Sequence, residues 1–116
     1  ADRMLTRYAP FEGRIRPGMG SEMRAYVNDV LALLWRQFDG THTLRVMFGV
    51  EQDSDGPSFL IILAITYPDA AAMARGLASP ARYESRELLP NFFAKDIDRK
   101  LLIYVMETYS FMPNQH

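Results

Sequence analysis

A chain of 116 residues suits one α+β domain over residues 1–116, and 48% hydrophobic with 23% charged residues is ordinary globular composition. A net charge of -1, with acidic and basic residues mixed along the chain, gives no footprint for nucleic acid or an anionic membrane. With no cysteine, disulfides, thiolate catalysis and sulfur-based zinc sites are excluded. No charged and apolar leader opens the chain and no apolar run approaches about 20 residues, so a cytoplasmic protein is expected.

Arg3 to Ala9 alternates loosely before Pro10 and predicts strand one, closed by the turn residues Gly13-Arg14-Ile15-Arg16-Pro17-Gly18. Ser21 is a candidate cap. Met23, Tyr26, Val27, Val30, Leu31, Leu34 and Phe38 then follow at helical spacing until Gly40, which predicts a helix with one buried side. Leu44, Val46, Phe48 and Val50 alternate with other residues and predict an edge strand. The polar cluster Glu51 to Gly56 joins it as a hairpin to the apolar run Ser58 to Tyr67, the third strand.

That run has no polar face, so it is expected to be covered on both sides, by helices on one and by a second subunit on the other. Asp69 caps a helix with the small apolar stripe Ala70, Met73, Ala74, Leu77 and Ala78, and Ser79-Pro80 restarts a helix that runs to about Leu89 before Pro90. Leu101 to Tyr109 is the fourth strand. The order βαββαβ predicts a ferredoxin-like, four-stranded antiparallel sheet, its two central strands, one and three, expected to run parallel, with both helices on one face. Two such sheets packed face to face would form a homodimer, a dimeric α+β barrel.

Several residues in this frame are chemical candidates. Arg7 on strand one and Glu107 on strand four lie within apolar runs on expected neighbours. They are either a cross-strand ion pair in the dimer interface, or a pocket pair in which Glu107 shuttles a proton and Arg7 holds an anionic oxygen. Trp35 belongs to the core or lines an aromatic ligand. Tyr67, Arg82 and Tyr83 either meet at a pocket mouth, where phenol and guanidinium orient a phenolate or carboxylate, or, for the last two, cover an exposed helix face. The run Arg82 to Glu87 as a whole reads as a solvated surface with short-range ion pairs. His42 sits in a polar loop without a second ligand at i+2 or i+4, so no metal is expected.

Arg14-Ile15-Arg16-Pro17-Gly18 before an amphipathic helix resembles the strand end and turn of the antibiotic-biosynthesis-monooxygenase family. Tyr67, Ala70-Ala71-Ala72-Met73 and Ser79-Pro80 resemble the aromatic strand end, alanine helix and Ser-Pro turn of that family and of stress-responsive and EthD-like dimeric α+β barrels. Leu89-Pro90-Asn91-Phe92-Phe93 is similar to a segment of EthD-like proteins. The resemblance spans about residues 13 to 110 and implies a homodimer with a pocket in each subunit between sheet and helices. It further implies a cofactor-independent monooxygenase or isomerase acting on an aromatic, phenolic or lactone substrate. The alternative is a non-catalytic accessory or stress-related ligand-binding dimer. The position that looks equivalent to a histidine of the oxygenase-like members is Arg82, and the histidine and proline of the EthD-like first helix are not matched.

Overall fold

The computed structural model describes residues 3–13, 18, 20–92 and 102–113. Arg14 to Pro17, Phe93, Leu101 and His116 lie outside the described residues. The elements are β1 (Met4–Glu12), α1 (Gly20–Tyr26), a π-helical turn (Val27–Leu31), α2 (Ala32–Trp35), β2 (Thr43–Phe48), β3 (Phe59–Tyr67), α3 (Ala70–Leu77), α4 (Pro80–Phe92) and β4 (Tyr104–Thr108). They form one four-stranded sheet in the order β2-β3-β1-β4, with all three pairings antiparallel. This is the ferredoxin-like α+β sheet expected from the element order.

One detail of that expectation is corrected. Strands β1 and β3 are the central pair, but they run antiparallel, with Arg7 opposite Ile65 and Ala9 opposite Leu63. The crossover through the first helix brings β2 back in the direction of β1, and the β2–β3 hairpin then returns β3 between them, opposed to both.

β1 also continues through Pro10 to Glu12, beyond the predicted end at Ala9. Its pairing with β4 stops at Tyr8, so among the described residues Pro10 lies beyond the end of that ladder, where a missing N–H is tolerated. Similarly, α4 runs past Pro90 to Phe92; the proline removes one bond near the end of a 13-residue helix rather than at its centre.

The first helical segment is continuous but not uniform. Ala32 donates its N–H to the carbonyl of Val27, five residues back, so the turn between α1 and α2 is a π-turn. It brings Val27, Leu31 and Trp35 onto the buried side, where they join Phe38, Ile61, Leu63 and Ile65 in the core. Ser21 lies inside the first turn of α1, which begins at Gly20, rather than at its cap. Gly40 ends the segment with φ 73°, a conformation that favours glycine, and its Cα lies close against Ala72 of α3.

Asp69 caps α3 as expected, its Oδ1 accepting from the Ala72 N–H at 2.8 Å. Ser79 behaves differently from a simple cap for α4. Its Oγ accepts from the Asp39 N–H at 2.9 Å and donates to the Arg75 carbonyl at 3.2 Å, tying the α3–α4 junction to the loop before β2.

Alternation divides the sheet into two faces. Ile61, Leu63, Ile65 and Tyr67 point to the helices together with Ala9 and Phe11, and all six are buried. The opposite face carries Tyr8, Leu60, Ile62, Met47, Tyr104 and Met106 and, among the described residues, has no layer of helices over it. Thr6 crosses this open face as the centre of a hydroxyl row, with Thr66 at 3.2 Å on one side and Thr108 on the other. Among the described residues no helix is long and apolar enough to cross a membrane.

Candidate functional site

The two antiparallel registers around β1 determine which side chains share the helix-facing side. Arg7 lies between Ile65 and Val105, and Leu5 lies between Tyr67 and Glu107. Arg7 and Tyr67 are therefore diagonal neighbours on adjacent strands. Over β3 this face is closed, because Tyr67 at 0% exposure sits beneath α3. Towards β4 it is open, with Val105 at 49%.

Tyr67 is the aromatic end of the apolar strand, and its environment is unusual for a phenol. Its ring lies against Gly76 of α3, and its hydroxyl is buried without a hydrogen-bond partner among the described residues. A buried hydroxyl with no partner costs about 1–3 kcal/mol. Burial raises its pKa above the ordinary tyrosine value, while the nearby guanidinium groups of Arg7 and Arg82 pull in the opposite direction.

Arg7 is half-buried. Its pKa is lowered first by burial and then by the repulsion of Arg82 and, more weakly, Arg86, with Tyr67 acting in the opposite sense. No carboxylate pairs with Arg7 among the described residues. Arg82 donates from Nη1 to the Leu77 carbonyl at 3.1 Å, which anchors it at the α3–α4 junction, and its guanidinium lies 5.8 Å from the Tyr83 ring centroid. Arg86 stands one turn further along α4. The arrangement is a cationic cluster of one strand arginine and two helix arginines beside an unsatisfied phenol.

The remaining sequence candidates are placed elsewhere. The Glu107 carboxylate pairs with Arg3 at 3.4 Å and takes a hydrogen bond from the Tyr109 hydroxyl at 3.4 Å, rather than meeting Arg7. Register leaves Glu107, opposite Leu5, diagonal to Arg7 on the same face, and its carboxylate turns the other way along β1, to Arg3. Trp35 is packed in the core at the end of α2. Tyr83 is more than half exposed on α4. His42 is exposed, and no group of three or more metal-ligating side chains occurs among the described residues. In the sequence Arg86 belongs to a run with the pattern of a solvated helix surface, and only its i+4 spacing from Arg82 marks it.

Comparison with known proteins supports the architecture. No family model and no curated protein matches the chain. Solved structures do. An EthD family protein from Bacillus halodurans matches with TM-score 0.66 at 18% identity, covering 87% of this chain and 96% of its own. SnoaB, a cofactor-independent oxygenase from Streptomyces nogalater, matches with TM-score 0.57 at 16% identity over 98% of this chain and 100% of its own. A protein assigned to antibiotic biosynthesis monooxygenases from Deinococcus radiodurans matches with TM-score 0.59 at 16% identity over 97% and 99%. Others are described as dimeric ferredoxin-like proteins of unknown function. The chain thus carries the ferredoxin-like α+β fold shared by EthD-like and antibiotic-biosynthesis-monooxygenase-like proteins.

Proposed function

We propose that this chain is one subunit of a homodimeric α+β barrel that binds an aromatic, phenolic or lactone compound between the helix face of its sheet and α4. There it acts as a cofactor-independent monooxygenase or isomerase. The observation that carries this reading is the Tyr67 hydroxyl, buried beside Arg7 without a partner among the described residues, in a fold whose solved examples include a cofactor-independent oxygenase. Arg7 and Arg82 supply positive charge where a phenolate or enolate would develop, and Tyr67 supplies a donor to an oxygen of the bound molecule. Glu107, on the open β4 side of the same face, is the candidate proton acceptor, with Tyr83 at the outer edge and Trp35 stiffening the floor.

The homodimer reading rests on the open sheet face. Met47, Tyr104 and Met106 are exposed there, and covering even a few hundred Å² of such surface yields several kcal/mol at about 25 cal/mol per Å². Two solved structures with this fold are described as dimeric.

The ion pair of Glu107 with Arg3 favours a second reading, in which the same dimer holds its ligand without turnover. A thermal-shift screen against phenols, quinones, lactones and aromatic acids tests the first step common to both. A rise in melting temperature that Arg82→Ala abolishes is the expected result, and dioxygen uptake or isomerised product then separates catalysis from binding. A panel that leaves the melting temperature unmoved throughout would sink both readings.

A further inference from the structure

The charge of the candidate site exceeds what the reading above requires. One ionised phenol or enol brings a single negative charge, whereas Arg7, Arg82 and Arg86 bring three permanent positive charges, with no described carboxylate paired to any of them. Like charges held together beside a buried strand position persist when a ligand compensates them. Arg82 is tethered by its bond to the Leu77 carbonyl, and Arg7 is held on a central strand opposite Ile65, so neither is free to drift apart in solvent. The unpartnered phenol of Tyr67 is a second, independent mark of a missing polar ligand at the same place.

We infer that the ligand is an aromatic compound with two acidic groups, a carboxylate and an ionisable phenol or enol, and that Arg86 helps to hold the carboxylate. This rests on the aromatic-ligand reading and specifies its substrate class. The two groups have distinct places. Arg7 and Tyr67, on the sheet, face the phenolic or enolic oxygen. Arg82 and Arg86, one turn apart on α4, present guanidinium groups to the carboxylate, whose two oxygens suit such forks. Val105, the exposed cross-strand neighbour of Arg7, supplies an apolar surface beside it.

Isothermal titration of the purified full chain with hydroxynaphthoate, naphthoate and naphthol tests this. Hydroxynaphthoate is expected to bind at least about tenfold more tightly than naphthol, the difference of one charge-assisted hydrogen bond. Arg86→Gln, on an exposed position that leaves the fold intact, is expected to remove most of that preference while leaving naphthol affinity unchanged. Arg86→Lys is expected to restore part of it. Equal affinity for hydroxynaphthoate and naphthol, or a preference untouched by Arg86→Gln, would overturn the two-charge inference and leave an aromatic site standing. Failure of all three compounds to bind would overturn the site itself.

Discussion

Gly76 of α3 lies against the Tyr67 ring so closely that a Cβ there would stand 2.7 Å from Cε1 and 2.8 Å from the phenolic oxygen. The same Cβ would meet the Asp39 carbonyl at 2.8 Å. None of these three atoms can give way easily, since the tyrosine is fully buried and the carbonyl is backbone. Gly76→Ala is therefore expected to destabilise the protein by about 1–3 kcal/mol, the usual cost of overpacking. Urea unfolding measures it; an unchanged midpoint would show that α3 can lift from the sheet without loss.

Tyr67→Phe should act in the opposite direction. It removes a buried oxygen that has no partner among the described residues, so the ligand-free protein is expected to gain about 1 kcal/mol. A pH signature accompanies it. Burial raises the folded pKa of Tyr67 above the value of the unfolded chain, so the native state keeps its proton while the unfolded state loses it. Stability is then full below about pH 10 and falls as pH rises beyond it, and the Phe variant should lose that part of the slope. Denaturation series between about pH 9 and about pH 11 would reveal it.

Arg7→Met is expected to raise the melting temperature and abolish ligand binding together. Arg7 is charged in both states at neutral pH, and its lowered folded pKa means that burial and the neighbouring arginines disfavour that charge in the native state. Retaining a group that weakens the fold is the usual mark of a functional position. A lower melting temperature in the variant would show that the guanidinium supports the fold instead.

The open sheet face gives a further test. Met106→Glu and Met47→Glu place a charge on side chains that are already exposed in the single chain, so the subunit should fold normally. Each is expected to convert a dimer at micromolar concentration into a monomer, read by sedimentation. Wild type that sediments as a monomer would remove the barrel.

The element order, both edge strands and the Asp69 cap were legible in the sequence because each depends on local pattern. The apolar run ending at Tyr67 correctly implied a central strand. What escaped was relational. Whether Arg7 meets Glu107 depends on side-chain direction as well as register: Glu107, opposite Leu5, is diagonal to Arg7, yet its carboxylate turns to Arg3. The direction of β3 beside β1 follows only once the crossover is traced in three dimensions. Arg86 looked like ordinary surface because nothing in the helical run itself shows that the strand beneath it carries another arginine.

The π-turn at Val27–Leu31 has a consequence for how this chain can change length. Such a turn holds one residue more than the α-turn it replaces, and the segments on either side keep their angular phase. The extra residue is therefore a spare. Excising solvent-facing Asn28 should let α1 and α2 close into an uninterrupted α-helix, with Trp35 still directed at the sheet. A core helix rarely accepts a deletion, yet this one is expected to lose a single codon at the π-turn while the interior stays in register.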